Sequence, residues 1–359
     1  INRVMAYKIS NTAMIIESDG KAILIADEAY YKGTLSIGST LQDLPSDYFT
    51  DYFAVAAPIQ GSTSGYTTGG TIGPPTYAES NVIDKFSFSS DGNASDVGDI
   101  TVAGMAMAGQ SSSSHGYTSG GYDPNNGYRN IIDKFSFSSD GNASDVGDIT
   151  VTRSGLSGQS SIFNSSGYNS GGIDTGPGSD VIDKFPFSSD ANATDVGNLT
   201  SNRYPVAGHS STTHGYVSGG GSPAMPPDFQ RNAIEKFTFS SDANATDVGD
   251  LTQIRITSGA GQSSDASGYH SGGSTGPPFS PVNTIDKFPF SSDGNASDVG
   301  DLTQARNTAA GQSSTASGYS SGGSDAVNTI DKFSFSSDGN ATDVGDLTQV
   351  REQAAGQQV

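Results

Sequence analysis

Apolar residues in this chain come in short alternating runs, each bounded by serine, glycine, asparagine or aspartate. In I-D-K-F-S-F (83–88) alternate positions place Phe86 and Phe88 on one face, the two-residue period of a half-buried strand. The segments G-Y-T-T-G-G (65–70), A-G-Q-S-S (108–112) and D-V-G-D-L-T (343–348) are equally short, and no helical period runs through the repeats. The stretch D-K-F-S-F-S-S-D-G-N-A-S-D-V-G-D occurs unchanged at 84–99 and 133–148, with near-copies from 183, 235, 286 and 331. Gly-Tyr-x-x-Gly-Gly begins at Gly65, Gly116, Gly167, Gly215, Gly268 and Gly318. Both motifs advance together by about 50 residues, which defines one unit present six times. Four short strands in a unit of that length predict the blades of an all-β, six-bladed propeller.

The Gly-Gly pair closing the second strand, the aromatic third strand and an arginine shortly after the fourth (Arg153, Arg203, Arg255, Arg306, Arg351) resemble kelch repeats over residues 54–359. The chain lacks the tryptophan of that family, so blade packing is expected to rest on paired phenylalanines such as Phe86 with Phe88 and Phe333 with Phe335. Burying one phenylalanine contributes roughly 1.5–3 kcal/mol, too little for a blade to fold alone, so blades must stack and the ring must close. The first-strand motif occurs at both ends, A-P-I-Q-G-S at 57–62 and A-G-Q-Q-V at 355–359. Pro58 removes a ladder donor from the first copy, so the C-terminal copy is expected beside Tyr66; a chain continuing into further blades is the alternative. Pro186 and Pro289 interrupt Phe-x-Phe and predict a bulge or an outward-facing amide there.

Residues 1–53 contain no repeat. A-M-I-I-E-S-D-G-K-A-I-L-I-A (13–26) reads as a hairpin with Asp-Gly at its turn, too small to fold alone. The opening M-A-Y-K-I-S (5–10) is similar to the start of structural proteins of tailed phages of marine cyanobacteria, and the units resemble repeats of their tail fibre and virion appendage proteins. The resemblance implies an N-terminal anchoring segment (1–53) docking to other virion proteins through residues 5–30. A propeller (54–359) would then be displayed on an extracellular virion, oligomeric in the particle, for attachment to a host-surface glycan or outer-membrane protein. A purely structural capsid decoration or fibre subunit is the alternative. Met5 reads as a possible start of translation.

Composition narrows the partners. A net charge of −21 disfavours nucleic acid and anionic membranes, and no apolar run has the length of a membrane span. Without cysteine there is neither a disulfide nor a thiolate nucleophile.

Candidate chemistry is sparse. Asp91, Asn93 and Ser95 fall at the first, third and fifth places of a calcium loop, but Asp96 stands where the loop needs glycine and no glutamate follows at the twelfth place. A hairpin turn is the simpler reading, with asparagine there to tolerate left-handed backbone. The six sequons at Asn93, Asn142, Asn192, Asn244, Asn295 and Asn340 fit the same turn. The hairpin carboxylates are expected to ring one face. His115, His214, His209 and His270 form no ligand pair at helical spacing, and no nucleophile elbow or phosphate loop is present, so neither catalysis nor a cofactor is expected. The link after Gly-Gly varies from 6 to 13 residues while the acidic hairpin hardly changes. Loops on a rigid scaffold are where binding sits, which nominates Tyr77, Tyr122, Tyr128, Phe229 and Phe279 as receptor contacts.

Overall fold

The computed structural model describes residues 60–359 except 177, 222–230, 277–278 and 325–326, together with five strands before residue 60. Two compact units divide the chain at residue 57. In the first, Met5–Lys8, Ala13–Ser18 and Lys21–Ala26 form an antiparallel sheet in that order, with Ala13 opposite Ala26 and Ser18 opposite Lys21. The expected hairpin therefore gains a third strand, and Leu35–Ile37 pairs with Thr40–Gln42.

The second unit is a propeller of six four-stranded antiparallel blades, and the described residues contain no helix. Blade 2 runs outward through Ala108–Ser111, His115–Ser119, Ile131–Ser136 and Ser144–Asp148. Blades 3 to 6 repeat it from Ser157, Ala207, Ala260 and Ala310. Blade 1 comprises Ser64–Thr68, Val82–Ser87 and Ser95–Asp99, and takes its inner strand, Ala355–Gln358, from the other end of the chain. Gln357 lies opposite Tyr66. The described part of the earlier copy, from Gln60, makes a single parallel bridge, Gly61 to Ser314, with Gln60 Nε2 donating to the Ser263 carbonyl. Gln60 and Gly61 thus lie at the end of the inner strands where the first-to-second turns are.

Alternation along the third strand explains its composition. In blade 1, Asp84, Phe86 and Phe88 face blade 6, whereas Ile83 and Lys85 face blade 2. Each Gly-Tyr tyrosine stacks on the second phenylalanine of the next blade, as Tyr66 does on Phe137 at 4.9 Å and Tyr319 on Phe88 at 4.8 Å. The cores consequently lie between blades, and no blade owns one. A bulge does occur in every blade, between Ile83 and Asp84 and at the equivalent places, but not at the prolines. Pro186 and Pro289 end their strands two residues beyond Lys184 and Lys287, the last positions paired to the outer strand; the outward-facing amide is the correct alternative. Phe187 N, next in line, donates inward to the Ser165 carbonyl at 2.7 Å.

Candidate functional site

Antiparallel blades put the first-to-second and third-to-fourth turns on one face, and the second-to-third links and blade-to-blade links on the other. The first face is uniform and the second variable.

On the uniform face the hairpin residues are committed to neighbouring blades. Asn93 Oδ1 accepts from the Asp346 amide at 3.1 Å, and the other five sequon asparagines accept equivalently from Asp99, Asp148, Asn198, Asp250 and Asp301. Asp91 accepts from Lys332 at 2.9 Å, one of six lysine–aspartate pairs of 2.5–3.2 Å that circle the ring. Ser95 Oγ donates to the Lys85 carbonyl at 3.5 Å. The oxygens of the calcium pattern therefore bond to protein. None of the six asparagines has a positive φ, so the asparagine serves as a clamp between blades and not as a turn former. Asp96 and Asp99 lie on the outer strand, so most hairpin carboxylates line the rim, whereas a ring on the face was expected. The glycine of D-V-G-D belongs to the same clamp: a Cβ on Gly98 would come within 2.3 Å of the Gly141 carbonyl oxygen.

Deeper in the blade, the aspartate of I-D-K-F is buried and pairs with the repeat arginine: Arg153–Asp183 at 2.7 Å, Arg255–Asp286 at 3.3 Å, Arg306–Asp331 at 2.7 Å and Arg351–Asp84 at 2.6 Å. Glu235 takes that place for Arg203. A threonine from the preceding blade's link donates to each carboxylate, as Thr348 Oγ1 does to Asp84 at 2.6 Å. Such pairs repay their desolvation only when every lone pair is used. Asp133 is the exception. Gly104 occupies the arginine position before it, and Arg129 fills that space from the variable link, donating to the carbonyls of Val102 and Ala103 and pairing with Asp123 at 3.2 Å. Only Thr101 serves Asp133, through its amide at 3.0 Å and its hydroxyl at 2.7 Å, and burial raises that carboxyl above the usual range.

The variable face holds five of the six large apolar side chains exposed among the described residues: Tyr77, Val102, Val151, Ile254 and Phe279. Phe163, 72 % exposed, lies on the uniform side. Tyr77 (69 % exposed, φ 44°) and Phe279 (52 %, φ 64°) sit in left-handed backbone that bulky residues rarely adopt. Tyr122 and Tyr128 pair across a two-strand ladder, Tyr122–Asp123 with Gly127–Tyr128, their rings edge-on at 5.2 Å. Both are half-buried, and the Tyr128 phenol is raised by burial and by Tyr122, Tyr204 and Asp174. The Asn125 amide, Asn126 and Arg129 hold Asp123 below the usual carboxylate range. Phe229 lies outside the described residues. Of the described nominees, Tyr77, the Tyr122–Tyr128 pair and Phe279 belong to three different blades, and only Tyr122 and Tyr128 are in contact with each other.

A narrow central channel of about 130 Å³ is lined by the inner strands. Small-molecule sites enclose roughly 300–1,000 Å³, so the channel is not a site of that kind. It is tight because Gly109, Gly158, Gly208, Gly261, Gly311 and Gly356 abut in a ring: a Cβ on any would lie 2.0–2.3 Å from the preceding blade's carbonyl oxygen. Around the channel, an inner-strand glutamine donates to the next blade's tyrosine carbonyl, from Gln110 to Tyr168 at 3.1 Å through Gln357 to Tyr117 at 3.0 Å. His209 stands in the glutamine's place in blade 4 and meets His270 through Ser218, with ring centroids 6.3 Å apart. Sequence reading kept these histidines apart because it tested helical spacing. The sequence already places His209 where other inner strands carry glutamine and His270 after a tyrosine, but helical spacing does not reveal a contact between neighbouring blades.

Among solved structures, this chain is similar to YjhT with a TM-score of 0.58 at 11 % identity, over 71 % of this chain and 88 % of that one. No protein-family model and no curated protein matches the chain. At that identity the likeness carries architecture alone, a propeller built of four-stranded blades.

Proposed function

We propose that this is a non-enzymatic, kelch-like virion appendage protein, a tail fibre or a similar part, whose propeller displays its variable face to a host surface. The observation that carries the reading is the distribution of exposed apolar side chains, five of six on the variable face, two of them held in strained backbone. Large apolar side chains exposed on one face and nearly absent from the other are what an interaction surface presents. Charge distribution supports it: the described parts of that face carry Glu79, Asp174, Asp180, Arg231 and Glu352 besides the Asp123–Arg129 pair, while the net charge of the chain is −21. A neutral partner, a glycan or the loops of an outer-membrane protein, suits such a surface.

Binding of the full chain to host cells and to immobilised glycans tests the proposal. Tyr77→Ala with Phe279→Ala should weaken binding at least tenfold, and Phe163→Ala should leave it unchanged. Equal binding by all three proteins would overturn the choice of face, and no binding by the wild type would favour the purely structural virion role.

A further inference from the structure

Blade 4 differs from its neighbours at both of its inner contacts. On the variable-face mouth of the channel, backbone amides form a collar: Gln353 N donates to Thr308 O, Ala106 N to Gln353 O, Gly155 N to Ala106 O, and Thr308 N to Ser258 O, at 2.7–2.8 Å. The equivalent residue of blade 4 is Pro205, which has no N–H to give. Toward blade 5, the glutamine belt is replaced by the buried chain of His209, Ser218 and His270.

Donor and acceptor roles in that chain follow from its ends. His209 Nδ1 lies 3.2 Å from the Gln262 carbonyl, which only accepts, so Nδ1 carries the proton and Nε2 of the neutral ring accepts. Ser218 Oγ then donates to His209 Nε2 at 2.7 Å and accepts from His270 Nδ1 at 2.8 Å. His270 Nε2 is left with a buried lone pair and no partner. It is packed against Gly259, where even a Cβ would lie 2.6 Å away. All three hydrogen bonds of the chain are thus made when both rings are neutral; a proton added at His209 Nε2 takes the acceptor of the Ser218 hydroxyl proton, and one added at His270 Nε2 meets no acceptor.

We propose that the interface of blades 4 and 5 is the acid-labile seam of the ring, latched through His209, Ser218 and His270 only while both imidazoles are neutral. Facing the latch are Arg255 of the blade-to-blade link, paired with Asp286 on the third strand of blade 5 and with Asp298 behind it. Tyr216, on the second strand of blade 4, packs its ring on Phe288 and Phe290 of blade 5, Gln262 brings only its carbonyl, and Tyr269 stacks on Phe335 across the next seam. Burial pushes His209 down to about 4, and burial with Arg255 and His209 pushes His270 well below its ordinary value. Both folded values lie below that of an unfolded histidine, about 6.5. The latch therefore contributes fully above about pH 6.5 and is lost as pH falls toward 4; His209 alone raises the unfolding constant roughly 100-fold across that window.

The test compares the full chain with His209→Gln, which restores the residue of the other five blades, and with His209→Gln/His270→Ser, since blade 6 carries Ser320 at the second position. Unfolding midpoints should be similar at pH 7, and the wild type should fall further than the double variant by pH 4.5. Hydrogen exchange on the wild type at pH 4.5 should open strands 207–210 and 260–263 before the other inner strands, and it decides the matter alone if a variant fails to fold. Equal pH slopes in wild type and double variant, or exchange that opens all six inner strands together, would overturn the proposal.

Discussion

Asp133 and Asp183 occupy the same place in successive blades, yet only Asp183 has its arginine. Asp183→Asn should cost about 3–5 kcal/mol, because it leaves Arg153 buried and unpaired. Asp133→Asn should change stability by about 1 kcal/mol or less at pH 7, since the group removed was an unpaired carboxylate and one Thr101 bond can persist. Chemical denaturation of both variants checks the contrast. The pH dependence has a defined sign: the folded value of Asp133 is raised by burial, so its contribution is fully present below the unfolded value of about 3.9 and is lost as pH rises through the folded value. The Asp133→Asn variant should therefore do best, relative to wild type, at neutral pH and lose that advantage toward pH 4. A second residue-scale outcome concerns Ala106, held at φ 55° where the next blade has Gly155. Ala106→Gly should stabilise by about 0.5–1 kcal/mol, read from the same denaturation midpoints.

The strand is the scale at which most of this fold was legible. Alternation in I-D-K-F-S-F placed the two phenylalanines on one face, and the spacing of Gly-Tyr-x-x-Gly-Gly counted the blades, because both signals are local. What stayed hidden needs a residue of the neighbouring blade: the arginine partner of the buried aspartate, the tyrosine under Phe137, and the role of Asn93. Asn93 was misjudged because asparagine suits turns and clamps alike, and only its φ separates the two. For the candidate face, the variability of the links was legible, whereas the strained exposure of Tyr77 and Phe279 was not. The tight seating of hairpin on outer strand gives a sharp prediction. Gly300→Ala would drive a Cβ to 2.3 Å from the Gly339 carbonyl, and overpacking of that kind costs about 1–3 kcal/mol. A thermal melt of Gly300→Ala equal to wild type would show that the hairpin can move aside. The outer strands also leave ladder edges free at the rim, where Asp96, Asp145, Asp195, Asp247, Asp298 and Asp343 oppose pairing with another chain.

For the whole molecule, stability belongs to contacts between blades, so loss of one contact surface should be felt around the ring. Deleting residues 355–359 removes the inner strand of blade 1, the belt bond from Gln357 to Tyr117 and one glycine of the channel ring. The deletion should lower the unfolding midpoint far more than any single substitution above and broaden the transition, measured by circular dichroism. Calcium tests the uniform face at this scale. With Asp91 and Asn93 already bonded to blade 6, melts in calcium and in chelator should coincide. A rise with calcium would mean that the clamps yield to metal.

Closure by the last strand also sets a schedule for biosynthesis. The second strand of blade 1 is made near residue 64 and its inner neighbour near residue 358, so at about 5–20 residues per second the ring stays open for roughly 15–60 s of translation. During that time blade 1 presents the Phe86 and Phe88 surface that Tyr319 will later cover. A ribosome that stops before residue 355 releases a ring with a gap, an aggregation-prone product that chaperones or proteases can distinguish from the closed ring.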